Sequence, residues 1–147
     1  MKGGFKMPIF ILFIALSITS LGSVVDDYEK EISRLEKQCE EKMSKDYSTT
    51  GMVLATQEYY EELDKVLNKV YKELMVTLDD EGKVALRDSQ REWIKFRDKE
   101  IAFAANLYSK KDGSIWSLST PSVMTNLMEN RIRELASYIG DQRDELF

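Results

Sequence analysis

The chain has 147 residues, 21 basic and 26 acidic side chains, no His and a formal net charge of −5. Hydrophobic residues make up 43% and charged residues 32%, which suits one domain with a buried core and excludes a compositionally disordered chain. With no His and one Cys, the composition excludes His-based catalysis, a disulfide framework, an iron–sulfur cluster and a CxxC redox motif, and its acidity disfavours nucleic acid as a partner.

Residues 1–22 differ from all that follows. Lys2 and Lys6 form a short basic region, Met7 to Leu21 carries no charge, and Ser20-Leu21-Gly22 offers small residues for cleavage after Gly22. This is the layout of a secretory signal peptide, followed by a single domain over residues 23–147. The uncharged run is shorter than the roughly 20 residues a spanning helix needs, so the chain is expected to meet a membrane only through an uncleaved leader. No Cys follows the run to take a lipid. Cleavage would reduce 21 basic residues to 19 against 26 acidic ones, a net of −7. The expected location is the periplasm or the secreted fraction.

Beyond the leader the pattern predicts helices only, and Gly and Pro are scarce. The first segment runs from about Asp26 to Lys45, with a narrow stripe of Ile32, Leu35, Cys39 and Met43. That stripe predicts a helix at the edge of the fold. Ser48-Thr49-Thr50-Gly51 breaks the pattern, and the second segment runs from about Met52 to Leu78. Here Tyr60, Leu63, Leu67, Val70, Tyr71, Leu74 and Leu78 recur at three- and four-residue steps. Asp79 to Gly82 ends it and starts the next.

The third segment runs from about Lys83 to Tyr108. Leu86, Gln90, Trp93, Arg97, Ile101 and Ala104 share a face, flanked by Phe96 and Phe103. Ser109 to Thr120 is the long break, with a turn signal at Lys110-Lys111-Asp112-Gly113-Ser114. Thr120 as N-cap and Pro121 as first helical residue open the fourth segment. Its predicted inner face is Met124, Leu127, Met128, Arg131, Leu135 and Tyr138, and Gly140 is its predicted stop. Short connections between long amphipathic helices favour antiparallel neighbours, so the predicted fold is all-α, a small antiparallel bundle of about four helices.

Three charged residues fall on apolar stripes: Asp64, Arg97 and Arg131. Buried charges need partners, and a bidentate Arg suits a carboxylate. One Asp and two Arg from three helices predict a polar network, with Asn68 and Gln90 filling its remaining donors and acceptors. The favoured role is structural, fixing helix register; a cationic pocket for an anionic ligand is the alternative. Cys39, on its apolar stripe, reads as a buried small hydrophobe rather than a cross-linking thiol.

The same residues carry a resemblance. Leu63-Asp64, Leu67-Asn68 and Tyr71 read as D-x-x-L-N-x-x-Y. Leu86, Gln90-Arg91-Glu92-Trp93-Ile94 and Phe96-Arg97-Asp98 read as L-x-x-x-Q-R-x-W-[LI]-x-[FY]-R-D. Gly113-Ser114-Ile115 matches a Gly-Ser loop, and Arg131 with Leu135 a closing R-x-x-x-L. Over about residues 39–136 the chain resembles the LprI-type family of small exported bacterial proteins, named for a lysozyme inhibitor. The Q-R-x-W-I-x-F-R-D block is the specific part. The resemblance implies paired cysteines near Cys39, Ala55, Ile101 and Val123, of which only Cys39 is present. The bundle then holds by packing alone, without about 2–4 kcal/mol per absent bridge. The family's Thr three residues before Arg131 is Met128 here.

Two functional readings follow. One is an exported acidic binding protein that inhibits a cationic cell-wall hydrolase such as lysozyme. Its contact element would be the loop at Gly113, Ser114, Ile115 and Trp116, where an exposed Trp would anchor an interface; a Trp116 folded back onto the bundle is the competing possibility. The other is an envelope-associated structural or interaction module that binds through a helix face. An enzyme is not expected. Glu58, Glu61, Glu62, Asp98 and Glu100 read as solvated surface, and Ser114 has no His base. No catalytic residue, metal or cofactor is expected, and the partner is expected to be a protein. The oligomeric state is open.

Overall fold

A computed structural model describes residues 21–144, and the side chains of residues 24–142. The leader predicted over residues 1–22 therefore lies outside the described residues except at its last two positions. The described chain forms four helices: α1 (Leu21–Lys45), α2 (Thr49–Thr77), α3 (Asp80–Tyr108) and α4 (Ser119–Asp144). A short 3-10 turn at Ser114–Leu118 leads into α4. No described helix is long and apolar enough to cross a membrane.

Local chemistry places the helix ends. Ser48 is extended and its hydroxyl accepts the Gly51 amide at 3.0 Å, capping α2. Asp79 caps α3 in the same way, accepting the Gly82 amide at 2.7 Å, with Asp80 and Glu81 favourable to the dipole. The fourth helix departs from its predicted ends. It starts at Ser119, because the 3-10 turn feeds straight into it, so Thr120 and Pro121 both lie in its first turn. It also continues through Gly140 to Asp144. Gly140 is buried beside Ala136 and Ile139, and packing overrides the helix-breaking tendency of glycine.

The core lies between α1, α2 and α4. From α1 come Val24, Tyr28, Ile32, Leu35 and Cys39; from α2, Leu63, Leu67, Val70 and Leu74; from α4, Met128, Ile132, Leu135 and Ile139. These positions step by threes and fours, so each helix turns one continuous stripe inward. The seam is between α2 and α4, and α1 packs on both. The expectation of an edge position for the first helix is thus corrected: its stripe is narrow but buried without a break from Val24 to Cys39. The outlying helix is α3, which leans on α4 rather than on α2. It buries only Leu86 and Ala104, with Trp93 packed against the core rim.

The inner face of α4 is also rotated from the predicted one. Ile132, Ala136 and Ile139 face inward, while Tyr138 is 44% exposed and its hydroxyl donates to Glu134. Charged pairs belt the three-helix core. Arg133 donates to Glu29 at 2.7 Å and to Glu129 at 3.1 Å, and the Tyr59 hydroxyl donates to Glu129 at 3.0 Å, joining α1, α2 and α4. Lys69 pairs with Glu31 at 2.9 Å, and Lys42 with Glu58.

Candidate functional site

The polar residues on the stripes do not converge on Asp64. Asp64 and Asn68 are exposed on α2, and the Asn68 amide donates to the Asp64 carboxylate at 3.1 Å and to its carbonyl at 2.8 Å. Arg131 is the buried member, 5% exposed. It donates to Gln90 at 2.9 Å and Ser89 at 3.3 Å on α3, and to Glu134 at 2.7 Å on its own helix. Arg97 donates to its neighbour Asp98 through two nitrogens, at 3.0 and 2.8 Å. Each arginine thus finds a carboxylate within three residues of itself. A near partner costs less chain ordering than one on another helix, and this is why Asp64 is not recruited.

Trp93 joins the two arginines. The Arg97 guanidinium lies 5.5 Å from its ring centre and that of Arg131 5.7 Å, both within cation–π reach. Tyr60 of α2 adjoins this cluster. Burial holds its phenol protonated, Arg97 opposes that, and Asp64 and Asp98 add to it. The Q-R-x-W-I-x-F-R-D block therefore divides in two. Gln90 and Trp93, with Ser89, meet Arg131 and build the joint between α3 and α4, while Arg97 stays over Trp93 and bonds Asp98 on its own helix. Ile94 and Phe96 point away from it, 38% and 52% exposed. Each of the three guanidinium nitrogens of Arg131 has a partner, in Gln90, Glu134 and Ser89.

At the far end of α3 lies the second predicted element, the loop. Gly113 has φ of +106°, a conformation that side chains rarely adopt, and this glycine lets the chain reverse. The Trp116 amide donates to the Gly113 carbonyl at 3.3 Å, closing the 3-10 turn. The turn packs on both α2 and α4, so the loop is held against the core helices. Gly113, Ser114 and Ile115 are exposed, Ile115 by 64%. Trp116 is half-buried and stacks on Tyr108, with ring centres 5.9 Å apart and planes 12° apart. Trp116 is thus neither fully exposed nor fully folded back: it stacks on Tyr108 and keeps part of its surface in solvent. Ile115 is the fully presented apolar side chain.

Sequence reasoning missed Tyr108 and Lys111. The Lys111 ammonium lies 4.0 Å from the Trp116 ring centre and 5.8 Å from that of Tyr108. Aromatic residues flanking a lysine across a glycine turn were the available signal. Cys39 is buried and unbridged, and burial pushes its thiol above the ordinary range, which keeps it unreactive at neutral pH.

No curated protein and no solved structure matches the chain. The family described as "Lysozyme inhibitor LprI" matches residues 39–135, which runs from Cys39 of α1 to Leu135 of α4 and takes in α2, α3 and the loop. That span is well over half of the chain and contains both the Trp93 joint and the Gly113 turn; the chain belongs to the LprI family.

Proposed function

We propose that this is an exported, acidic binding protein that inhibits lysozyme-type cell-wall hydrolases through the loop between α3 and α4. Family membership supplies the class of partner. The observation that carries the choice of surface is Ile115, an apolar side chain 64% exposed on a turn pinned to two core helices. A small rigid apolar contact ringed by polar groups is the usual centre of a protein interface. The net charge of −5, or −7 without the leader, favours a cationic enzyme and speeds its encounter.

The test is a cell-wall lysis assay with lysozyme and purified residues 23–147 across a salt series. Inhibition that fades as salt rises is expected, since screening acts on charge-steered association. Trp116→Ala should weaken it. Inhibition that is indifferent to Trp116→Ala would remove the loop, and no inhibition of several lysozyme classes at low salt would remove the activity.

A second reading is favoured by α3. Phe96, Phe103 and Leu107 fall on one line of the helix and are 52%, 61% and 42% exposed. An envelope interaction module would use this helix face, would leave lysozyme untouched, and would lose its partner on Phe96→Ser or Phe103→Ser.

A further inference from the structure

The loop contains a cation site that the chain fills with its own lysine. Tyr108 closes α3 and Trp116 lies in the 3-10 turn, so their stacking brackets residues 109–115. The Lys111 ammonium stands over the Trp116 face at 4.0 Å, inside the roughly 6 Å range of cation–π attraction. Lys111 is exposed, and it holds its ammonium over the ring on a flexible four-carbon stem. The ring, by contrast, is fixed: Trp116 is half-buried and its turn packs on α2 and α4. A fixed aromatic face under an exchangeable cation is a preorganised receptor for another cation.

We propose that the Tyr108–Trp116 pair is a docking slot for a basic side chain of a protein partner, occupied in the free chain by Lys111 until a partner's Arg or Lys displaces it. This rests on the reading of the loop as the partner-binding surface and adds the chemistry of the contact. Three observations support a basic occupant. The slot already accepts an ammonium. The chain's negative charge draws a basic partner. Ile115, exposed beside the slot, offers apolar contact to whatever chain delivers the cation. An arginine is the stronger competitor, because its planar and weakly hydrated guanidinium stacks on aromatic faces better than an ammonium does. Lys111 then acts as a competitive brake: a partner binds only to the fraction of molecules whose slot is open.

The experiment titrates the purified protein with a capped tetra-arginine peptide and, separately, with lysozyme, measuring affinity by isothermal calorimetry, a readout that wild type and every Trp116 variant share. Lys111→Met keeps most of the side chain's stem and removes the cation. It should tighten peptide binding by about two- to fivefold, the worth of an exposed cation–π contact. The gain should vanish in Lys111→Met/Trp116→Leu and shrink in Lys111→Met/Trp116→Phe, which keeps an aromatic face and protects the test against misfolding. Equal affinities for wild type and Lys111→Met would overturn the slot. So would the same gain with Trp116→Leu, which would be relief of charge repulsion alone. Lysozyme binding that ignores both Lys111→Met and Trp116→Leu also overturns the slot and removes the loop as the contact surface, while leaving inhibition itself in place. A slot that passes the peptide test in a protein that ignores lysozyme upholds this inference and sinks the inhibitor reading.

Discussion

Helices α2 and α3 are each 29 residues long, yet α2 buries eight residues and α3 two. The difference lies in what occupies the inward stripe. In α2 it is aliphatic almost throughout: Leu63, Val66, Leu67, Val70 and Leu74. In α3 the stripe is interrupted by Gln90 and Arg97, and the two phenylalanines lie beside it rather than on it. The first pattern drives burial against two neighbours. The second yields a polar joint to α4 and leaves an apolar row in water. Burial stabilises by about 25 cal/mol per Å² of apolar surface, so the α1–α2–α4 core carries the stability, while α3 and its loop leave Phe96, Phe103, Leu107 and Ile115 exposed.

The largest expected effect breaks this contrast at single residues. Leu63→Ala on α2, fully buried, should cost about 2–5 kcal/mol in urea unfolding. Phe103→Ala on α3, a larger truncation but 61% exposed, should stay within about 0.5 kcal/mol. Equal costs would contradict the division of labour.

Next comes the joint. Arg131→Ala should cost about 2 kcal/mol, since it removes a buried guanidinium together with its hydrogen bonds to half-buried Gln90 and to Glu134. Asp64→Ala should remain within about 0.5 kcal/mol, because its one side-chain partner is an exposed Asn on the same helix. Melting temperatures of the two variants check the ranking. Gly113→Ala should cost about 1–2 kcal/mol through backbone strain and should alter the Trp116 resonance, whatever space surrounds it.

The smallest effects concern two buried tyrosines. Burial, reinforced by Glu73 for Tyr28 and by Glu129 for Tyr59, pushes both phenols well above the ordinary tyrosine range. A raised folded value means that the stabilisation is complete below the unfolded value of about 10 and is lost as pH climbs above it. The contribution of these two phenols should therefore fall on the alkaline side. Tyr59→Phe should flatten that fall and cost about 1 kcal/mol at neutral pH, since Glu129 loses its donor. Tyr28→Phe should flatten the fall with no neutral cost, because the Tyr28 hydroxyl is buried without a hydrogen-bond partner among the described residues. Alkaline denaturation curves of the two variants separate these cases.

The helices themselves were legible because periodicity reports directly on one-sided burial, and the caps at Ser48 and Asp79 are local chemistry. What periodicity does not carry is the choice of neighbour. The narrow stripe of α1 suggested an edge, yet Tyr28, Ile32 and Leu35 fill the space between α2 and α4. The broader stripe of α3, broken by Gln90 and Arg97, belongs to the outlying helix. The network failed for a related reason. The sequence marked Arg97 and Arg131 as charges in need of partners, and local carboxylates, Asp98 and Glu134, supplied them. The turn at Gly113 was readable from residue types. The Lys111 site was not, because it exists only once Trp116 has folded back onto Tyr108.

The central claim, that recognition belongs to the α3–α4 loop and not to the core helices, is tested most directly by mapping backbone amide shifts on adding lysozyme at low salt. Shifts concentrated at residues 109–118 and reversed by added salt are the expected result. No shifts, or shifts confined to the α3 row at Phe96, Phe103 and Leu107, would contradict it.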